Sequence, residues 1–149
     1  MTITEAMIGM LVLAVAVGGA LQATSVARRE SILADERAIA RSILGGVALP
    51  LEALPYADPT AAPGAIGPEA GESLTGPAHW DDLDDAHGWS GTPPFASGAG
   101  WSASIAVAWV NPTDPTDVRT LESGLKRITI TVRRGDRVIL QEVRFRGRI

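Results

Sequence analysis

Four aspartates lie within five residues, between two tryptophans, and form the densest group of potential ligands or proton carriers in the chain. Residues 80–89 read WDDLDDAHGW. Carboxylates this close repel one another unless a positive group lies among them. Oxygen ligands on a turn suit Ca²⁺, which tolerates irregular coordination geometry. The spacing does not match an EF-hand loop, and the candidate ligands are Asp81, Asp82, Asp84 and Asp85.

Two other interpretations of this acidic segment stay open. One is a capped, hydrogen-bonded turn that packs Trp80 and Trp89. The other is contact between subunits, because charge is distributed unevenly along the chain. Residues 45–118 contain ten acidic residues and no Lys or Arg, whereas residues 119–149 contain nine basic and three acidic residues. The acidic and basic regions could therefore meet within one subunit or between stacked copies, where the acidic segment would contact the basic C-terminal strands, or they could form two solvated faces of opposite sign.

The sequence gives little support to an enzyme. His79 and His87 lie eight residues apart, a separation that places them on no common helix face, and no nucleophile–base pair is recognisable. The chain has no cysteine, no P-loop and no glycine fingerprint for nucleotides. We therefore expect no enzymatic activity. The net charge of -4 also argues against a nucleic-acid surface.

A single carboxylate, that of Glu5, precedes a long apolar run near the N-terminus. Residues 6–21 are all apolar or glycine. A helix over residues 6–27 would reach about 33 Å, enough to cross a bilayer. An ionised carboxylate at the edge of such a run is costly unless it is paired. No Lys or Arg precedes Arg28, so we expect a processed product whose free amine on Met1 is the counter-charge of Glu5.

The first residues, MTITEAMIGMLVLAVAVGGALQAT, resemble the mature N-terminus of type IV pilins and of the related pseudopilins of type II secretion. Met1, Thr2, Ile3 and Glu5 match that family's pattern, and Thr4 departs mildly from it. The resemblance implies cleavage by a prepilin peptidase before Met1, N-methylation of Met1, and packing of the helix in a filament core. The acidic segment is also similar to an Asp-Asp-x-Asp-Asp-x-x-Gly stretch of minor pilins of the mannose-sensitive haemagglutinin type.

The elements beyond the apolar run predict one α+β head. Residues 1–27 form the membrane or filament-core helix, and residues 25–44 continue it with amphipathic spacing until Gly45 and Gly46 end it. Residues 45–149 form the globular head. Its first part, residues 45–100, is rich in turns and is anchored by aromatic side chains. These are Trp80, Trp89, Phe95 and Trp101.

The second part of the head, residues 101–149, predicts antiparallel strands. Trp101 to Trp109 alternate in polarity, as do Ile128 to Val132. The Gly135-Asp136 turn joins the second strand to a third, and residues 111–123 form a longer loop. We expect this small antiparallel sheet to be covered by the helix face of residues 32–44.

The function expected from these features is that of a structural subunit of an extracellular type IV pilus-like filament of identical copies. The precursor waits in the bacterial inner membrane until pilus assembly machinery extracts it. Glu5 then pairs with the Met1 amine of an adjacent subunit, and apolar packing supplies cohesion. The packing residues include Ile8, Leu11 and Val15. A minor pilin or type II secretion pseudopilin is the alternative, and a single-pass periplasmic anchor is the second alternative.

Overall fold

The computed structural model describes residues 2–58, 66–69, 75–92 and 100–148. It contains one long N-terminal helix and a five-stranded antiparallel sheet, which confirms the α+β class. Within the described residues the chain divides into two compact units, residues 1–37 and residues 38–149. Phe95, one of the expected aromatic anchors, lies outside the described residues.

Helix α1 runs over Ile3–Ala53, a length of 51 residues. Its N-terminal part is long and apolar enough to cross a membrane, by length and composition. The expectation that Gly45 and Gly46 end the helix was wrong. Each glycine costs only about 1 kcal/mol in a helix interior, and the apolar spacing continues past both of them through Val47, Ala48 and Leu51, all of which are buried. Burial of that face therefore outweighs the two glycines.

Pro50 lies inside the last turns of α1 and does not end it. A proline ring normally clashes with the carbonyl of the residue four positions earlier. That residue is Gly46 here, whose backbone has more freedom to adjust because it carries no side chain. The helix then ends with an external cap, since the guanidinium of Arg146 donates to the carbonyl oxygens of Glu52 at 3.2 Å and Leu54 at 3.1 Å. A basic group suits the negative end of a helix.

The sheet follows the helix in the chain. Its strands are β1 (Ser90–Gly91), β2 (Trp101–Asn111), β3 (Asp114–Val118), β4 (Leu125–Arg134) and β5 (Arg137–Gly147). The strand order is β1-β2-β4-β5, and β3 pairs with β2. The predicted hairpin is confirmed, because Arg134 pairs with Arg137 across a two-residue connection in which Gly135 has a φ of 57°.

The expectation of a longer loop over residues 111–123 was wrong in part, because β3 lies inside it. The two prolines that suggested a loop do not prevent pairing. Pro112 precedes the strand, and Pro115 lies in a short edge strand that pairs with β2 among the described strands. Proline is tolerated in such edge strands.

The core of the second unit is formed by one face of α1 and one face of the sheet. The predicted alternation is confirmed, because every second residue of β2 from Trp101 to Trp109 is buried, as are Ile128, Ile130 and Val132 of β4. The helix contributes a buried stripe. This stripe is Ala40, Ile43, Leu44, Val47, Ala48 and Leu51.

The helix face that covers the sheet begins later than predicted. Ile32 and Leu33 were expected to belong to it, yet they are 50% and 43% exposed. The covering face instead extends from Ala40 to Leu51, in step with the continuation of the helix. The covering face is shifted because the helix continues to Ala53. The residues from Ala40 to Leu51 are enough to cover the sheet, so residues near position 32 are not required.

Candidate functional site

The first turn of α1 is closed by a reciprocal pair of hydrogen bonds between Thr2 and Glu5. The backbone N–H of Thr2 donates to Oε2 of Glu5 at 2.8 Å, and the backbone N–H of Glu5 donates to Oγ1 of Thr2 at 3.4 Å. This is a capping box, in which each side chain satisfies a backbone donor at the helix start. Its sequence signature, Thr-x-x-Glu, was present and was overlooked. Glu5 therefore has a partner within its own chain.

The amine proposed as the counter-charge of Glu5 belongs to Met1, which lies outside the described residues. N-methylation of Met1 and its pairing with Glu5 stay predictions. The apolar residues predicted to pack in a filament are described, and all three are exposed in the single chain. Ile8 is 62%, Leu11 67% and Val15 69% exposed.

The acidic segment folds against the core. Asp82, Leu83 and Asp85 are each 1% exposed. The backbone N–H of Leu83 donates to the carbonyl oxygen of Pro55 at 3.2 Å, which joins the segment to the chain just after α1. Burial of Leu83 carries the flanking carboxylates into the interior.

Two of the buried carboxylates accept hydrogen bonds from the segment's own backbone. Oδ1 of Asp82 accepts from the N–H of Asp84 at 2.7 Å, and Oδ2 of Asp85 accepts from the N–H of Asp81 at 2.8 Å. Aspartate commonly stabilises turns in this way. These contacts support the interpretation of the segment as a hydrogen-bonded turn.

The end of the segment joins the edge of the sheet. The N–H of Gly88 donates to the carbonyl oxygen of Ile105 at 3.0 Å, and the N–H of Ile105 donates to that of Trp89 at 2.9 Å. Nδ1 of His87 accepts from the N–H of Val107 at 3.1 Å. The Trp89 ring meets Trp80 edge-on, with centroids 5.9 Å apart. His87 therefore has a structural partner in β2.

A buried lysine supplies the positive charge that the acidic segment requires. Lys126 of β4 is 2% exposed, and its ammonium forms a salt bridge with Oδ1 of Asp84. Oδ2 of Asp82 lies 4.0 Å from the same nitrogen. The ammonium also donates to the carbonyl oxygen of Tyr56 and lies 4.5 Å from the centroid of its ring. Lys126 thus contacts the acidic turn and the segment after α1 at once.

Burial changes the acidity of this group of residues. Burial, followed by a side-chain hydrogen bond with Asp84 and the charge of Asp84, raises the pKa of Asp82 to about 6. Burial and the charge of Glu122 raise the pKa of the Tyr56 phenol to about 12. Asp82 is thus a carboxyl group able to exchange a proton near neutral pH.

The predicted Ca²⁺ ligands are brought together only in part. Asp82, Asp84 and Asp85 are buried, whereas Asp81 is exposed. Among the described residues, no three or more His, Cys, Asp or Glu side chains are grouped to hold a metal ion. The ammonium of Lys126 occupies the position beside the carboxylates that the sequence analysis assigned to a cation. Calcium binding stays a prediction.

Lys126 is the residue that sequence reasoning missed. The expected contact between acidic and basic regions occurs within one chain, through this side chain, in addition to any contact between copies. A signal was present, because Lys126 has the same parity as the buried residues Ile128, Ile130 and Val132 of β4. A lysine in a core-facing register requires a buried partner.

Comparisons of the chain with protein-family models, with curated proteins and with solved structures gave no match.

Proposed function

We propose that the chain is a structural subunit of an extracellular, type IV pilus-like filament built from identical copies. The observation that carries the proposal is the N-terminal part of α1. It combines a helix of membrane-spanning length, exposed apolar side chains and one acidic residue in the first turn.

Exposure of this apolar run explains why the helix needs a partner. An 18-residue window of the helix has a mean hydropathy of 2.0, and none of it is buried within the chain. Apolar surface on this scale is unfavourable in water, at about 25 cal/mol per Å². Lipid covers it before assembly, and the same run on other copies covers it afterwards. Ile8, Leu11 and Val15 supply cohesion in the assembled state.

Glu5 sets the register of this packing. In a low-dielectric core its carboxylate is attracted to the terminal amine of an adjacent copy, and desolvation offsets part of that attraction. The capping box uses one oxygen of Glu5, and a carboxylate has a second acceptor oxygen. The intrachain contact and the contact between copies are therefore compatible.

The precursor is placed in the bacterial inner membrane, is processed by a prepilin peptidase before Met1, and is exported by pilus assembly machinery. The head, residues 45–149, forms the outer surface of the filament. The α+β arrangement of a long helix and an antiparallel sheet is compatible with this function. Mass spectrometry of the native N-terminus checks the processing, with a methylated Met1 as the expected result.

The decisive experiment compares two substitutions of Glu5 in a filament assembly assay. Glu5→Gln keeps a side chain that supports a capping box but removes the charge, whereas Glu5→Ala removes both. We expect both variants to insert in the membrane and to assemble poorly, as measured by the yield of sheared filaments. Glu30→Gln, which removes an exposed carboxylate of the same helix outside the apolar run, is the matched control and should assemble normally.

One outcome would contradict the role of the Glu5 charge, and another would contradict the filament function. If Glu5→Gln assembles like the unmodified chain and only Glu5→Ala fails, the residue acts through its capping box rather than its charge. If the purified native protein is a monomer that retains a basic extension before Met1, the single-pass anchor becomes the better interpretation.

A further inference from the structure

The contact between Lys126 and Asp84 is buried. The Lys126 side chain is 2% exposed and that of Asp84 is 8% exposed. The Tyr56 ring lies 4.5 Å from the Lys126 nitrogen and shields it from solvent. Leu83 and Ala86, which lie within two positions of Asp84 in the acidic turn, are also buried, at 1% and 0% exposure. Bulk water therefore has little access to the two reactive groups.

A buried ion pair of this kind is energetically unfavourable compared with a neutral link of similar shape. Removing an ammonium and a carboxylate from water costs several kcal/mol for each ion, and mutual attraction recovers only part of that cost. An amide between the same side chains carries no charge. Its single N–H can donate to a neighbouring acceptor, the Tyr56 carbonyl oxygen or the Asp82 carboxylate.

We propose that Lys126 and Asp84 condense to form an intramolecular isopeptide bond, with Asp82 as the proton carrier. Nζ of Lys126 first transfers a proton to the neighbouring carboxylates, which leaves an uncharged, nucleophilic amine. Its lone pair attacks Cγ of Asp84 and forms a C–N bond. A C–O bond of that carbon then breaks, and the oxygen leaves as water. One ammonium and one carboxylate give one amide and one water molecule, so atoms and charge balance without an oxidant or a co-reactant.

Asp82 is positioned to move the protons that this reaction requires. Its Oδ2 lies 4.0 Å from Nζ of Lys126, and its Oδ1 is held by the N–H of Asp84 at 2.7 Å. The same carboxyl can therefore receive a proton from the attacking nitrogen and return one to the departing oxygen. Burial, followed by a side-chain hydrogen bond with Asp84, raises its pKa to about 6, which suits a group that must act in both directions.

The bond would join the acidic turn covalently to β4, across 42 positions of the sequence. The chain has no cysteine, so no disulfide can provide such a crosslink. A link between distant positions restricts the unfolded chain and stabilises the folded one, as argued for disulfides. The contacts that position Lys126 are the same for the ion pair and for the covalent bond, so the two arrangements differ only in the bond itself.

The mass of the intact full-length protein tests the proposal directly. We expect the native protein to be lighter than its processed sequence by the mass of one water. Digestion with trypsin and chymotrypsin should yield a branched peptide that contains both Lys126 and Asp84, with no cleavage after Lys126. A native protein with the full mass and normal cleavage after Lys126 would overturn the proposal and leave an ion pair only.

Variants assign the lost water to these residues. Dehydration of an aspartate to a succinimide also removes one water but does not require Lys126. Lys126→Arg and Asp84→Ala should therefore have the full mass, and Asp81→Ala, an exposed residue of the same turn, should still be one water lighter. Water loss that persists in Lys126→Arg would overturn the proposal.

The role of Asp82 is tested separately. Asp82→Asn retains a similar shape and hydrogen-bonding capacity but cannot carry the proton, so we expect the full mass together with an unchanged near-ultraviolet circular dichroism spectrum. A crosslinked Asp82→Asn protein would overturn the role of Asp82. None of these measurements depends on filament assembly, so the crosslink and the proposed function can fail independently.

Discussion

The backbone N–H of Thr2 donates a 2.8 Å hydrogen bond to Oε2 of Glu5, so the acidic side chain at the start of α1 is paired within its own chain. Any interaction of Glu5 with another copy is added to this contact or replaces it. Substitution of Thr2 should therefore affect the start of the helix, whereas loss of the Glu5 charge should affect assembly.

The helix start should depend on the side chain of Thr2. Thr2→Ala removes the oxygen that accepts the N–H of Glu5 and should destabilise the first turn by about 1 kcal/mol, whereas Thr2→Ser keeps it. Amide hydrogen exchange in detergent micelles should show faster exchange in the first turn of Thr2→Ala only. Equal exchange in the two variants would show that the capping box does not stabilise the helix.

Leu83 should be a major source of stability for the head. It is 1% exposed, so Leu83→Ala creates a cavity and should lower the free energy of unfolding by about 2–5 kcal/mol. Leu121→Ala is the matched control, because that side chain is 78% exposed and its loss should cost less than about 0.5 kcal/mol. Thermal unfolding in micelles measures both, and similar losses in the two variants would contradict the buried position of the acidic turn.

Stability should fall with rising pH in the range in which Asp82 titrates. Its pKa is about 6 in the folded protein, against an ordinary value of 3.8. The folded state binds this proton more strongly than the unfolded chain, so the contribution is complete below the lower value and is lost as the pH rises through the higher one. At about 1.4 kcal/mol per pKa unit, we expect a loss of roughly 3 kcal/mol from this group.

The comparison with Asp82→Asn tests this effect through its pH dependence, because a crosslink present only in the native protein would change the difference by an amount that does not vary with pH. The difference in unfolding free energy between the native protein and the variant should change between about pH 4 and pH 6, as expected from this linkage, and should be constant above that range. A difference that grows in favour of the native protein as the pH rises would have the opposite sign and would exclude a raised pKa.

The β4–β5 turn should require glycine at position 135. Gly135 has a φ of 57°, where a side chain costs about 1–2 kcal/mol, and no atom lies within 4 Å of the position that a Cβ would occupy. Gly135→Ala should therefore destabilise the protein through the backbone alone. Gly147→Ala, which meets no atom and has no positive φ, should be nearly neutral in the same unfolding measurement.

The sequence predicted the features that arise from local periodicity. The alternation in β2 and β4 and the Gly135-Asp136 turn led to the correct strands, since each signal lies within a few consecutive residues. The end of α1 could not be found this way. Gly45 and Gly46 are local stop signals, but burial of Leu51 against a sheet formed much later in the chain outweighs them.

For the buried contact at the acidic turn, the sequence predicted only that the carboxylates need a positive charge beside them. The partner, Lys126, comes from β4 and is brought to Asp84 by the fold rather than by proximity in sequence. Four nearby carboxylates favour an external cation when only neighbouring residues are considered. The core-facing parity of Lys126 within β4 was the available clue, and it becomes useful only after the strand has been placed.

The contacts of Arg146 have a consequence for synthesis on the ribosome. This residue belongs to β5, yet it caps the carbonyl oxygens of Glu52 and Leu54 at the end of α1, 94 and 92 positions earlier. During translation those carbonyls must wait for β5 to emerge. The last turn of α1 is therefore completed only after β5 has been made, and a truncated product that lacks β5 would leave that turn without its donor.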